Sequence, residues 1–344
     1  MTIMETTRRG TMAAAIAAAT AGLPRISAAQ AREVIIGTWG GDYGNLLQEN
    51  IDRPLATPAG LNVVQDVASA PPRKVKLLAE RQSRRGTLDV AALSDTDMFE
   101  VAQQNIFDPV TEANLRRLPA TIPALRKAYS VPHIYSAKVI LYNPNRVNPA
   151  PTSYADLWDS RFRGRVGVSD LLYSQMTETA AIVGGGSVSN FEPAWQKLRE
   201  WRALGVRVYP SNEALAAALQ SEEVWLTVMW LARGFMWRQA GVPIRHAVPR
   251  EGATSIAFEF GVPRNARNKE AAWRWIDLSL DPRAQVGFAR RMGYLPTVTD
   301  AEIPADIADQ INLTERQRAG LLTPDYAYLA ANHQRILDFW NRDF

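Results

Sequence analysis

The chain has 344 residues, 47% hydrophobic and 22% charged, with a mean hydropathy of −0.20. That is a soluble globular profile, long enough to bury two cores. There is no cysteine, which excludes disulfides, thiolate metal centres and cysteine nucleophiles. The three histidines (His133, His246, His333) lie far apart, so they are poor material for a metal site or a general base. The formal charge of +4 arises from 39 basic and 35 acidic residues that are well mixed, a small excess of arginine and not a nucleic-acid-binding stripe.

Residues 1–31 read as a cleaved export signal. Thr7-Arg8-Arg9-Gly10 is a twin-arginine start, Thr11 to Gly22 is an alanine-rich apolar run, and Ala29-Gln30-Ala31 is a small-x-small cleavage site. Cleavage would leave 36 basic and 34 acidic residues, a net charge of +2. No later apolar run approaches the ~18 residues of a spanning helix. The expected location is therefore the periplasm, reached by the Tat route, and the expected state is a monomer held together by core burial without staples.

The mature part starts as β-α-β-α-β. Val34 to Trp39 is a short apolar strand entering the loop Gly40-Gly41-Asp42-Tyr43-Gly44, and Leu46, Leu47 and Ile51 mark one face of a helix. Leu61 to Val67 reads as a second strand, Arg73 to Arg84 as a second helix, and Leu88 to Leu93 as a third strand ending at Ser94-Asp95. Alternation of this kind implies a mostly parallel sheet covered by helices, with ligands beyond the carboxyl ends of the strands.

A crossing strand, Val131 to Ser136, leads into a second α/β segment. Its pieces are Val139–Tyr142, a helix start at Ser153–Trp158, a strand at Arg165–Val168 and a helix from Ser174 to Val183. Gly184-Gly185-Gly186 follows that helix instead of opening one, and no Gly-Lys-Ser/Thr comes after it, so it is a loop and not a phosphate cradle. Trp225 to Leu231 and Ser255 to Val262 are further strands, and Tyr326 to Trp340 is an amphipathic helix.

Several blocks in order resemble the periplasmic solute-binding proteins of ABC transporters, of the spermidine/putrescine-binding type. They include Tyr129-Ser130-Val131-Pro132 with Ile140-Leu141-Tyr142-Asn143, and Thr152-Ser153-Tyr154-Ala155-Asp156-Leu157-Trp158. Met229-Trp230, Gln239-Ala240-Gly241-Val242-Pro243, Val262-Pro263-Arg264-Asn265 and Met292-Gly293-Tyr294-Leu295-Pro296-Thr297 continue the series. The resemblance implies a two-lobed α/β fold, each lobe a mostly parallel sheet flanked by helices, closing on a ligand by a hinge motion. The lobes would be 32–135 with 253–300, and 136–252 with 301–344. It also implies a small-molecule ligand, permease subunits in the inner membrane as partners, no cofactor, no metal and no catalysis.

The candidate ligand-binding residues are Trp39, Tyr43, Ser94, Asp95, Tyr173, Trp230, Arg233, Glu259 and Tyr294. Aromatic faces at strand ends give apolar contact and cation–π attraction, and a few fixed charges set orientation. In the resemblance, the positions matching Trp39, Trp230 and Tyr294 line the ligand site. Two positions where polyamine binders carry acids are Leu171 and Ser174 here, and a third aligns with Phe258, next to Glu259. Arg233, three residues after Trp230, is suited to clamp a carboxylate. The expected ligand is a small amine-containing, zwitterionic or carboxylate solute. The alternatives are a polyamine receptor, a chemosensory binding protein and an exported enzyme.

Overall fold

In the computed structural model, which describes residues 32–344, the first element is strand β1 (Arg32–Thr38), with Val34 and Ile36 fully buried. The expected export signal lies outside the described residues. Helix α1 (Gly41–Leu47) follows, and Gly41 takes φ +61, a left-handed value that costs glycine no Cβ clash, to turn the chain sharply after Trp39. The helix runs on as a π-helical segment, Gln48–Ala56, around Pro54, which has no N–H for the usual ladder.

Strand β2 (Leu61–Val67), helix α2 (Ala70–Glu80), strand β3 (Val90–Ser94) and helix α3 (Asp95–Ala102) complete the opening alternation. Helix α2 starts before the expected Arg73 because Pro71 and Pro72 fit a first turn, whose N–H groups have no intrahelical partner. β1 lies parallel between β2 and β3, with Ile36 opposite both Gln65 and Val90.

Strand β4 (Val131–Tyr142) is one unbroken run of twelve residues, all buried, where the sequence suggested two pieces. The second α/β segment holds β5 (Gly167–Ser169), α4 (Tyr173–Val183), α5 (Ala194–Ala203), β6 (Arg207–Tyr209) and α6 (Asn212–Gln220). It ends with β7 (Leu226–Trp230), α7 (Leu231–Gln239) and β8 (Arg245–Ala247). The turn expected as a helix start at Ser153 is a 3₁₀ turn, Tyr154–Trp158, closed by a Ser153/Asp156 capping box. The chain then returns through β9 (Ser255–Gly261), α8 (Lys269–Ser279), α9 (Pro282–Met292) and β10 (Leu295–Pro296). Helices α10 (Ala305–Ile311), α11 (Glu315–Ala319) and α12 (Tyr326–Asp343) close it.

β4 changes partners along its length. Up to Ala137 it pairs antiparallel with β9, and β10 joins at Ile134 and Tyr135. From Lys138 onward it pairs with β7, and β8 joins at Ile140 to Tyr142. The parallel part foreseen at the start is β2-β1-β3, and the crossing strands β9 and β4 add antiparallel pairings to it. β5 and β6 pair in parallel in the second segment.

Two principal cores result. One gathers Val34, Ile36, Leu47, Phe260, Trp275 and Phe288, the other Tyr154, Met176, Leu198, Trp201, Leu219 and Met229. The two fully buried indoles, Trp275 and Trp201, each find an acceptor, as low-dielectric burial demands. Trp275 Nε1 donates to Asp52 Oδ1 at 2.8 Å and Trp201 Nε1 to the Leu157 carbonyl at 3.1 Å. Among the described residues no helix is long and apolar enough to cross a membrane.

Candidate functional site

Trp39 leaves the carboxyl end of β1 half-buried, where the loop frees it from the sheet's pleat. The edge-to-face contacts that aromatic quadrupoles favour link it to Tyr43 (5.1 Å between ring centres) and to Phe258 (5.2 Å), and Phe258 to Tyr294 (5.3 Å). The Arg73 guanidinium lies 4.8 Å from the Trp39 ring centre. That guanidinium is buried and donates to the Ala92 and Ala68 carbonyls, and burial draws its pKa down to about 10. Arg73 is thus still a cation at neutral pH, and it fixes the indole.

Tyr43 supports this group from inside. Its hydroxyl lies 3.0 Å from His133 Nδ1. Burial holds the His133 pKa down at about 3, so the imidazole is neutral, and the same burial raises that of Tyr43.

The polar residues at the end of β3 divide their roles. Ser94 caps α3, accepting from the Asp97 N–H at 3.3 Å and donating to Asp97 Oδ2 at 2.9 Å. Asp95 is buried and accepts from the Ala257 N–H (3.0 Å), the Thr96 N–H (2.8 Å) and the Tyr326 hydroxyl (3.0 Å). Burial raises its pKa, against the pull of Lys127. Phe258 and Glu259 point to opposite faces because side chains alternate along β9. Phe258 joins the aromatic group, while Glu259 accepts from the Ser130 hydroxyl at 2.6 Å. The Lys127 ammonium is 2.7 Å from Glu259 Oε1, off the hydrogen-bond direction. Burial pushes Glu259 up to about 7, with Lys127 opposing.

Trp230 ends β7 and packs on the second core. A small cavity, part of it open to solvent, is bordered by Asp95, Ser174, Glu178, Trp230 and Thr254. Glu178 Oε1 accepts from both the Lys138 ammonium and the Thr254 hydroxyl. Lys138 also donates to the Gln175 carbonyl at 3.2 Å. Arg233 is half-buried in the first turn of α7, and among the described residues no carboxylate lies within ion-pairing distance of it. Its charge lowers the Tyr294 pKa against burial, which holds that hydroxyl up at about 12. Tyr173 faces α12, 3.3 Å from His333 Nδ1 and with its ring 6.5 Å from Trp340.

Of the residues singled out in the sequence, the structure joins Trp39, Tyr43 and Tyr294 through Phe258, and it puts Asp95 and Trp230 on one cavity. Ser94 caps a helix, Glu259 faces Lys127, and Tyr173 lies against α12. Sequence reasoning missed Arg73, Lys138 and Glu178. A lysine inside an all-buried strand was a usable signal for the last two, since a buried ammonium requires an acid.

Residues 88–332 match a family described as bacterial extracellular solute-binding proteins. The spermidine/putrescine-binding periplasmic protein of Escherichia coli K12 is 30% identical over 171 residues, 48% of this chain and 49% of that one. The matched stretch thus spans about half the length of the curated relative. An ABC transporter structure from Clostridium perfringens has a TM-score of 0.79 at 18% identity, covering 90% of this chain and 99% of the other. The Atu4243-GABA receptor has a TM-score of 0.76 at 21% identity, covering 90% and 97%. The fold is that of the two-lobed periplasmic binding proteins. With the family match covering most of the described residues, this chain belongs to the bacterial extracellular solute-binding protein family.

Proposed function

We propose that the chain is the periplasmic receptor of an ABC importer and binds a small solute carrying one amine and one carboxylate. The observation that carries this is Arg233. It is a half-buried guanidinium whose charge acts on the Tyr294 hydroxyl, and among the described residues no carboxylate lies within ion-pairing distance of it. A ligand carboxylate would supply one, with the bidentate geometry that guanidinium favours. Asp95, at the cavity edge beside Trp230, would meet the amine.

The change of β4 partners at Ala137/Lys138 and the start of β9 at Ser255 support lobes of 32–135 with 253–300 and 136–252 with 301–344. Closure of these lobes over the ligand would desolvate it. Export through the twin-arginine segment, delivery to permease subunits and a monomeric state complete the reading. Catalysis has no role in it, since a receptor releases its ligand unchanged.

A polyamine receptor is the second reading, favoured by the name of the Escherichia coli relative and by Asp95 and Glu178 on the cavity. Titration calorimetry and thermal shift with γ-aminobutyrate and putrescine separate the two. γ-Aminobutyrate at 100 times Kd is expected to add about 2.7 kcal/mol of stability, and Arg233→Gln to weaken it about tenfold or more while leaving diamines less affected. A shift by diamines alone would overturn the carboxylate reading.

A further inference from the structure

We propose that Lys138 sets how many ammonium groups the cleft accepts, by neutralising Glu178 from behind. This rests on the receptor reading above and deepens it. Lys138 sits in the middle of β4, where the strand leaves β9 and meets β7, directly opposite Trp230. Its side chain is 1% exposed. A lone ammonium at that depth is costly, and Lys138 is kept there by Glu178 and the Gln175 carbonyl.

Glu178 borders the cavity on the face of α4 that also presents Ser174, one helical turn earlier. One of its oxygens is occupied twice, by Lys138 and by the Thr254 hydroxyl, so its charge is balanced before any ligand arrives. Asp95, on the same cavity, is in the opposite condition. Among the described residues no ammonium or guanidinium lies within ion-pairing distance of it, and its carboxylate accepts only from the Ala257 and Thr96 N–H groups and the Tyr326 hydroxyl, while the nearby Lys127 contacts Glu259 instead. The cavity therefore has one unbalanced acid, and it balances one ligand ammonium. A second ammonium beside Glu178 would meet Lys138 as a like charge close behind the carboxylate. The cleft selects a single amine over a diamine.

The test uses two four-carbon probes, γ-aminobutyrate and putrescine, and reads the ratio of their Kd values by calorimetry. Lys138→Met frees Glu178, and the ratio is expected to move toward putrescine by about tenfold or more. Glu178→Gln leaves Lys138 as the uncompensated charge, and the ratio is expected to move about tenfold the other way. A merely structural role would weaken both probes alike and leave the ratio where it was. Should Lys138→Met fail to fold, the isosteric Glu178→Gln decides alone. A ratio unmoved in Glu178→Gln overturns this inference while the receptor reading stands, whereas a wild-type chain that binds neither probe overturns both.

Discussion

At Lys138 one ammonium meets one carboxylate, Glu178, and the Thr254 hydroxyl completes the shell. At Lys127 one ammonium serves two carboxylates: it is in contact with Glu259 and lowers the pKa of Asp95, against which Tyr326 from α12 is bonded. Both clusters border or underlie the same cavity, yet the first is balanced and the second carries an excess of acid. A balanced buried pair holds geometry, because neither charge can be lost without stranding the other. An acid-rich cluster must shed charge as it is desolvated, which is why Asp95 and Glu259 are both displaced upward. One cluster holds its geometry, and the other can take up a proton.

The largest expected effect comes from breaking the balanced cluster. Lys138→Ala strands Glu178 in the interior and is expected to cost about 3–5 kcal/mol in urea unfolding at pH 7. Lys127→Ala is expected to cost less, about 1–3 kcal/mol, since Glu259 can answer by taking up a proton. Equal costs would erase the distinction between the two sites.

The acid-rich cluster makes a pH-dependent prediction. Glu259 rises from an ordinary 4.5 to about 7 in the folded chain. Between those values the folded state holds a proton that the unfolded state has released, so stability falls as pH rises through that window. The slope is at most about 1.4 kcal/mol per pH unit. Above the window the loss is complete, and below it both states are protonated. Glu259→Gln should remove this slope, so that the stability difference between wild type and variant changes across the window and levels off outside it. A difference that is flat from pH 4.5 to pH 7 would mean that Glu259 stays ionised in the fold, held by Lys127.

The two clusters were unequally legible in the sequence. The β-α-β-α-β opening, the crossing segment and the aromatic strand ends follow from hydrophobic alternation and from glycine placement, which are local properties. Trp39 and Trp230 could be placed at strand ends for that reason. The charge clusters depend on which distant segments converge. Lys127 lies more than a hundred residues from Glu259, and Lys138 forty from Glu178, so neither partner is written near the other. Glu259 was singled out as a candidate because it adjoins Phe258, but the period of two along β9 sends the pair to opposite faces. Tyr173 follows the same logic on a helix, since its face of α4 is claimed by α12, which comes from the far end of the chain.

The smallest expected effect concerns Tyr43, where the same separation between inward support and ligand contact can be tested by one oxygen atom. Tyr43→Phe keeps the ring that buttresses Trp39 and Phe258 and removes only the hydroxyl that meets His133. His133 has no partner at Nε2, so the variant would leave both ring nitrogens unpaired in the interior. The expected cost is about 0.5–1.5 kcal/mol of stability, with solute affinity unchanged within about twofold. An affinity loss of about tenfold with stability intact would mean the hydroxyl faces the ligand when the lobes are closed. The aromatic wall would then contribute a polar contact of its own, and selection would not rest on the charge clusters alone.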